Sequence, residues 1–251
     1  MEPLTKRRSR AAVAAAVLGA LAVVDAALGP GLAHAGIVRP FTGFLLFLTS
    51  ALEALLAVVF AAVAFRATGV ARGLGGRGLA WLGFALGTAV LAGVVQAASA
   101  GRGLPRINDI TTNPADPPAF VVAANDPANA GRDLGYPPEF GAIQRTAYPD
   151  LVPIELALPP GEALERARRT AEALGWQLTE VRPPQQEGGD GFLEARQESG
   201  LFRFVDDVGV RVRAAPNGSV VDVRSKSRDG KGDLGVNAAR IRAFRDALAK
   251  G

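Results

Sequence analysis

The stretch FRFVDDVGVRVRAAPNGSVVDVRSKS, residues 202–227, decides the fold predicted for the C-terminal part of the chain. Two runs of alternating apolar and polar residues flank PNGS, a typical hairpin turn. The alternation places Val208, Val210 and Val212 on one face of a sheet, together with Asp206. The opposite face carries a ladder of charged side chains: Asp207, Arg211, Arg213, Asp222, Arg224 and Lys226. One face is therefore apolar and predicted to be covered by helices.

The sequence on either side of the hairpin supplies further strands and two helices. Residues 176–181 and 192–199 read as strands, and residues 142–158 read as extended structure. A helix over 161–175 presents apolar residues at helical spacing, and Gly235 to Lys250 forms the last helix. The predicted fold is membrane-anchored α+β: transmembrane helices, then an outer domain with a mostly antiparallel sheet and two helices on one face.

Residues 101–140 form a segment rich in Pro, Asn and Asp, which disfavour long helices. Five apolar residues would anchor this extended segment over the folded core: Ile107, Ile110, Phe120, Tyr136 and Phe140. The predicted organisation is therefore a membrane region over 1–100, an extended segment over 101–140 and an α+β domain over 141–251.

Three apolar stretches, residues 11–28, 41–65 and 79–98, predict transmembrane helices, because roughly 20 apolar residues cross a bilayer. The first stretch has a second interpretation. It follows KRRSR and precedes Ala33-His34-Ala35 in a predicted loop, which resembles a secretory signal cleaved after Ala35. Both interpretations remain open.

The distribution of Lys and Arg predicts the topology. Basic residues crowd the N-terminal tail (Lys6 to Arg10) and the loop between the second and third spans, whereas the first loop holds only Arg39. The tail and the second loop are expected to face the cytoplasm. The chain is thus predicted to be a multi-pass protein of the cytoplasmic (inner) membrane, with residues 101–251 on the outer, periplasmic or extracellular side.

Composition excludes several chemistries. The chain has no Cys and a single His, His34, so disulfides, thiolate metal sites and His-based catalysis are excluded downstream of it. Residues 1–100 hold eight basic and three acidic side chains, whereas the remainder holds 20 basic and 21 acidic ones. The basic pI therefore comes from loops beside the spans, and no nucleic-acid partner is predicted. No catalytic residue, cofactor or metal ligand set is predicted.

The stretch RSKSRDGKGDLGVNAARIRAF, residues 224–244, supports two hypotheses. Basic and hydroxyl side chains beside a helix N-terminus and two glycines favour an anion-binding site. The candidates are Arg224, Ser225, Ser227, Arg228, Asn237 and Arg240. Alternatively, these groups satisfy one another in a polar network with Asp206, Asp207, Asp222 and Asp233, with Asp233 capping the last helix.

The membrane region contains two carboxylates, Asp25 and Glu53, within or near its apolar segments. They indicate either a proton or cation relay, or residues placed at the interface or packed between spans. If the chain is a structural subunit of a membrane complex, Glu53 and the small-residue face of the third span (Gly83, Gly87) are expected to contact other helices.

Four motifs resemble the domain of unknown function 1499 family over about residues 105–248: NDITTNPADPPAF (108–120), YPDL (148–151), FVDDVGVRVR (204–213) and VDVRSKSRDGKGDLGVNAARIRAF (221–244). The resemblance implies a bacterial-type or organellar envelope protein with no assigned reaction. Its distinctive polar positions fall on Asp206, Asp207, Arg224, Ser225, Ser227, Arg228, Asp233, Asn237 and Arg240. Asn113 departs from the aspartate that is commoner in the family.

Three functions follow as hypotheses. The first is an extracytoplasmic binding or accessory module for an anionic envelope ligand, with the lipid bilayer and other membrane proteins as candidate partners. The second is a structural subunit of a membrane complex. The third is a hydrolase that uses Asp206 or Asp207 with Arg224 and Arg228. Adjacent strand residues point to opposite faces, which counts against Asp206 and Asp207 acting as a pair.

Overall fold

The computed structural model describes residues 7–68, 74–99, 101–186 and 189–251. The chain divides into two compact units. One comprises Met1–Ala100 with Gly200–Arg203, and the other comprises Gly101–Ser199 with Phe204–Gly251.

The first unit consists of three long helices: α1 (Arg10–His34), α2 (Pro40–Ala67) and α3 (Arg77–Ser99). With 25, 28 and 23 residues, each is long and apolar enough to cross a membrane. Large apolar side chains stay exposed on these helices; Leu52 on α2 and Val95 on α3 are each 60% exposed. Such surfaces suit lipid rather than water, so the three helices indicate a membrane protein.

Small residues let the three helices approach closely. Gly29 on α1 lies against the backbone of Gly43 on α2, and a Cβ atom at Gly83 would overlap the backbone of Ala15. At Gly87 a Cβ atom would lie 2.7 Å from the carbonyl oxygen of Ala54. The helices that Gly83 and Gly87 contact are thus α1 and α2 of the same chain.

The first helix is longer than predicted. It continues through Pro30 to His34, so His34 ends a helix instead of lying in a loop. Proline removes only one backbone donor, and an apolar environment favours keeping the remaining backbone groups hydrogen-bonded within a helix.

The second unit contains a six-stranded antiparallel sheet in the order β1-β6-β5-β4-β3, with β2 also paired to β6. The strands are β1 (Asp109–Thr111), β2 (Ile154–Leu156), β3 (Gln177–Arg182), β4 (Gly191–Glu198), β5 (Val205–Ala215) and β6 (Gly218–Ser227). The predicted hairpin forms its centre, with Val210 opposite Val223. β1 and β2 pair with opposite halves of β6 along the same edge.

Two helices, α6 (Pro160–Ala173) and α7 (Val236–Lys250), pack on the apolar face of the sheet. The core contains Val208, Val210 and Val212 of β5, and the ring of Trp176 stacks on Phe244 at 4.9 Å. The predicted fold class, three apolar helices followed by an antiparallel sheet with helices on one face, is confirmed.

The opposite face of the sheet is covered by the segment rich in Pro, Asn and Asp. This segment contains α4 (Val122–Asn125) and a short 3-10 turn (Pro127–Asn129). Pro118 and Phe120 lie above Gly209, where a Cβ atom would touch both at 3.6 Å. The charged ladder of this face is therefore largely shielded from solvent.

Two element boundaries differ from the prediction. Residues predicted as extended contain α5 (Phe140–Ala147), whose amphipathic pattern buries Gly141 and Gln144, and Tyr148-Pro149 ends it. β5 begins at Val205 rather than at Phe202, because Arg203 adopts a left-handed backbone conformation (φ 59°) that a strand does not continue through.

Candidate functional site

Arg224 is the most completely buried cation of the stretch 224–244. The pairing of β1 with β6 places Thr111 opposite Arg224 and Asp109 opposite Lys226. The guanidinium donates to both oxygens of Asp109, at 2.9 Å from Nε and 2.7 Å from Nη2. It also donates to the carbonyl oxygens of Pro118 and Leu134. With side chains 3% and 0% exposed, Arg224 and Asp109 form an internal ion pair.

Two aromatic rings complete the surroundings of Arg224. Its guanidinium carbon lies 4.6 Å from the ring centre of Phe120 and 5.7 Å from that of Tyr136. Burial and the negative charge of Asp109 raise the pKa of Tyr136 to about 12. Rings at these distances favour a cation. Arg224 thus joins the segment that covers this face of the sheet (residues 101–140, called here the covering segment) to β6. Its surroundings leave little room for a ligand.

Arg240 organises a second buried cluster between α7 and the sheet. Its guanidinium donates to Asp206 at 2.6 Å, to Gln197 at 2.6 Å, to Ser225 at 2.8 Å and to Asn237 at 2.7 Å. The hydroxyl of Ser225 also donates to Asn237. Asp206 lies on the apolar face of β5, which α7 covers. Its counter-charge is therefore Arg240 of α7.

The amide group of Asn237 connects this cluster to the loops. Its Nδ2 donates to the hydroxyl oxygen of Ser227 at 2.9 Å and to the backbone carbonyl of Asn108 at 3.2 Å. Asn237 is fully buried and lies in the first turn of α7. It therefore ties the start of α7 to β6 and to the chain before β1.

Arg228 and Asp207 pair on the opposite face of the sheet. Arg228 donates to both oxygens of Asp207, at 2.9 and 2.6 Å, and to Asp126 at 2.8 Å. Asp207 also accepts from Asn129 at 2.9 Å. Burial disfavours the charge of Arg228, but its two aspartate partners outweigh burial and raise its pKa. The amide of Ala128 and the Arg228 guanidinium lower the pKa of Asp126.

Asp222 has no solvent exposure and lies between two arginines. Arg211 and Arg213 each donate to its Oδ2 at 2.8 Å, and Arg211 also donates to Asp116 at 2.8 Å. Hydrogen bonds with Arg211 lower the pKa of Asp116. The Oδ1 atom of Asp222 and Nε of Arg211 are buried without a partner among the described residues. The charged side chains of this face are thus paired, but two of their polar atoms lack a hydrogen bond within the described residues.

Asp233 holds the start of α7. Its carboxylate accepts the backbone amides of Gly235 at 2.9 Å and Asn237 at 2.8 Å. The helix itself begins at Val236. Asp233 therefore occupies the position that an anion at this helix terminus would take.

A concave site adjoins the first part of the stretch 224–244. It is a cavity of about 250 Å³ beside the end of β6. Its polar lining includes Arg132, Asp133, Asp207, Lys226, Ser227 and Arg228. Three cations and two acids thus meet around one opening. Among the described residues, Arg132 forms an ion pair only with Asp229, through an exposed contact of 3.2 Å. Of the predicted anion-binding candidates, Ser227 and Arg228 line this cavity.

Comparison with known families identifies the second unit. The family model described as "Protein of unknown function (DUF1499)" matches residues 109–248, more than half of the 251 residues. The chain belongs to the DUF1499 family. The predicted resemblance is confirmed, and the three apolar helices precede the DUF1499 region. No curated protein and no solved structure matches the chain.

Two buried polar residues of the DUF1499 region, Glu194 and Gln144, were not predicted from the sequence. Glu194 is 1% exposed and accepts the backbone amides of Val121, Val122 and Ala123. Gln144 is equally buried and bonds the backbone of Thr111 through both its oxygen and its nitrogen. No local sequence pattern identifies their backbone partners.

The arrangement offers little support for hydrolytic chemistry. Asp206 faces α7 and Asp207 faces the covering segment, so the two carboxylates lie on opposite faces of the sheet. Each is engaged by an arginine at 2.6 Å. Within the described ranges, no group of three or more His, Cys, Asp or Glu residues could hold a metal ion.

The two carboxylates of the membrane unit lie together. Asp25 on α1 and Glu53 on α2 are close enough to interact electrostatically. Oε2 of Glu53 is buried without a hydrogen-bond partner among the described residues. The two carboxyl groups therefore meet between α1 and α2 of the same unit.

Proposed function

We propose that this DUF1499 chain is a membrane-anchored binding module that recognises an anionic envelope ligand in the cavity beside the end of β6. The observation that carries the proposal is the convergence of Arg132, Lys226 and Arg228 on one opening. Because Asp133 and Asp207 also line the cavity, the ligand would bind among cations that already have acidic neighbours.

Unused donors support anion binding. No hydrogen bond engages Nη1 of Arg228 within the part of the chain that the structure describes. Arg132 uses one N–H in an exposed pair, which an anion can replace at small cost because such pairs contribute about 0–1 kcal/mol.

The dimensions of the cavity favour a small anionic group. Its volume of about 250 Å³ is below the roughly 300–1,000 Å³ of pockets that enclose drug-sized ligands. A phosphate or carboxylate group therefore suits it, with the rest of the ligand extending into solvent. Lipid head groups and cell-wall polymers both carry such groups.

Thermal unfolding of the full chain in zwitterionic detergent tests this proposal against inorganic phosphate, glycerol phosphate and acetate. An anion at 100 times its dissociation constant is expected to add about 2.7 kcal/mol to the stability of the second unit. In a Trp81→Phe background, Trp176 reports on that unit. The variant Arg132→Gln/Lys226→Gln should lose the shift.

Arg242→Gln is the matched control, because Arg242 forms an ion pair of similar exposure with Asp150 away from the cavity. It should keep the anion-induced shift. The proposal fails if none of the anions raises the unfolding midpoint, or if Arg242→Gln abolishes the shift as fully as the cavity variant does.

We also propose that the second unit lies on the outer side of the cytoplasmic membrane. The basic residues of the N-terminal tail and of the loop after α2 support this orientation, since such loops stay in the cytoplasm. The absence of Cys makes the test direct. A single cysteine at Asn217 should react with a membrane-impermeant maleimide in intact cells, whereas a cysteine at Gly78 should react only after permeabilisation. The reverse pattern would overturn the orientation.

A structural role in a membrane complex is a second candidate. The observation that favours it is the saturation of Arg224 and Arg240, whose donors are engaged inside the fold. This role predicts no anion-induced stabilisation and retention of the chain in a larger complex during mild detergent extraction.

A further inference from the structure

Two loops lie side by side at the beginning of the second unit: residues 101–106 and residues 231–236. The amide of Asp233 donates to the carbonyl of Ile107 at 3.3 Å. The side chain of Leu234 rests on Gly101, and the side chain of Leu104 packs against Gly235. These contacts join the two loops into one surface, called here the junction surface, which is separate from the cavity beside β6.

The junction surface combines cations with apolar side chains. Arg102, Arg106 and Lys231 are exposed, and none of them forms an ion pair in the described part of the chain. Leu234 is 59% exposed and Val236 is 44% exposed. A cavity of about 280 Å³ opens between these residues, with Leu104, Arg106, Lys231 and Leu234 in its lining. The cations beside β6 are paired with aspartates, whereas these three are not.

Leu234 is held in a conformation that its side chain disfavours. Its φ of 54° lies in the left-handed region, where a branched side chain is uncommon and strained. Asn or Gly would occupy this position with less strain. Apart from its contact with Gly101, the side chain of Leu234 faces solvent, so it contributes little to the core. A role outside the fold of this unit explains why an apolar side chain stands there.

Covalent connectivity places the junction surface near lipid. The 23 residues of α3 extend about 35 Å, against about 30 Å of bilayer hydrocarbon, so the end of α3 at Ser99 lies near the interface. Gly101 follows two residues later, and two residues span no more than about 7 Å. Because Leu234 packs on Gly101, its side chain is also held close to the end of α3.

We propose that the junction surface docks on anionic phospholipids, with Leu234 and Val236 entering the interfacial region and Arg102, Arg106 and Lys231 contacting head groups. Unpaired cations around apolar side chains complement a negatively charged bilayer surface. The contact would fix the second unit against the membrane that anchors it.

Site-directed spin labelling of the full chain in nanodiscs tests the proposal. A nitroxide on Val236→Cys should show a higher ratio of oxygen to nickel-chelate accessibility than one on Asn217→Cys. Asn217 lies in the turn at the far end of β6, roughly 30 Å along the strand from Ser227. The ratio at 236 should rise when phosphatidylglycerol replaces part of the phosphatidylcholine, and it should fall at high salt.

Two variants separate lipid contact from folding. Arg106→Gln/Lys231→Gln should weaken docking about fivefold per charge removed, the equivalent of about 1 kcal/mol each. Leu234→Asn should reduce the accessibility ratio at 236 while leaving the unfolding midpoint unchanged or raised, since Asn relieves the left-handed strain.

Three results would overturn the proposal. One is equal accessibility at 236 and 217 in every lipid mixture. Another is a high ratio at 236 that neither phosphatidylglycerol nor removal of the cations changes. The third is dipolar broadening between labels at 236, which would assign the junction surface to a second copy of the chain.

Discussion

Replacing Asp109 by alanine is expected to lower the free energy of unfolding of the second unit by about 3–5 kcal/mol, because it leaves Arg224 buried without a counter-charge. Arg224 would keep its carbonyl partners and its two aromatic neighbours, but neither supplies a negative charge. Lys226 would lose the same carboxylate, to which it donates at 2.9 Å. Denaturant unfolding of the full chain, followed by Trp176 in a Trp81→Phe background, measures the change.

Asp116→Ala is the matched control. Asp116 pairs with Arg211 at 2.8 Å, but its side chain is 65% exposed, and Arg211 keeps Asp222 as a second partner. We expect a loss of about 1 kcal/mol or less. Equal losses for the two variants would show that the Asp109–Arg224 pair does not hold the covering segment to the sheet.

Replacing Gly83 by leucine is expected to disrupt the packing of α3 against α1. A Cβ atom at this position would overlap the backbone of Ala15, so neither helix can accommodate it by changing a rotamer. Overpacking of this kind costs about 1–3 kcal/mol or more. Unfolding of the full chain in increasing concentrations of dodecyl sulfate measures the loss, with Trp81 of α3 reporting on the first unit.

Gly93→Leu provides the comparison within the same helix. Apart from the backbone of α3 itself, no atom of the described residues lies within 4 Å of the Cβ position at Gly93, and leucine has the higher helix propensity. This variant should be as stable as the original chain or slightly more stable. Similar destabilisation by both substitutions would indicate that the contact between Gly83 and Ala15 does not determine the stability of the bundle.

Periodicity predicted the elements whose neighbours are close in sequence. Alternation from Val208 to Val223 gave the hairpin and the correct faces, because each side chain follows from its place in the pleat. Apolar spacing similarly gave α6, α7 and the three long helices. Residues 142–158 were predicted to be extended, whereas the first of them belong to α5 (Phe140–Ala147). Its burial of Gln144 against Thr111 depends on a segment 33 residues away.

The partners of the charged residues were harder to predict. Asp109 and Arg224 are separated by 115 residues, and only the pairing of β1 with β6 brings them together. The sequence contains many aspartates and arginines, and their spacing along the chain does not show which of them form ion pairs. Glu194 shows the same limit, since its partners are backbone amides that carry no signature in sequence.

The distribution of partners changes what the stretch 224–244 indicates. A high density of Arg, Lys and Ser left two hypotheses open, an anion site and a polar network, and the contacts divide these residues between separate roles. Arg224 and Arg240 join layers of the fold, Asp233 holds the start of α7, and the end of β6 borders the cavity lined by Arg228. Anion recognition is accordingly proposed for the cavity and not for the whole stretch.

Calorimetric titration of the detergent-solubilised full chain with glycerol phosphate tests the anion proposal most directly. We predict saturable binding that weakens about tenfold or more in Arg132→Gln/Lys226→Gln, since each hydrogen bond to a charged group contributes about 1.5–3 kcal/mol. Arg242→Gln should bind as the original chain does. Binding of equal strength in all three proteins, or no binding heat in any of them, would contradict recognition by this cavity.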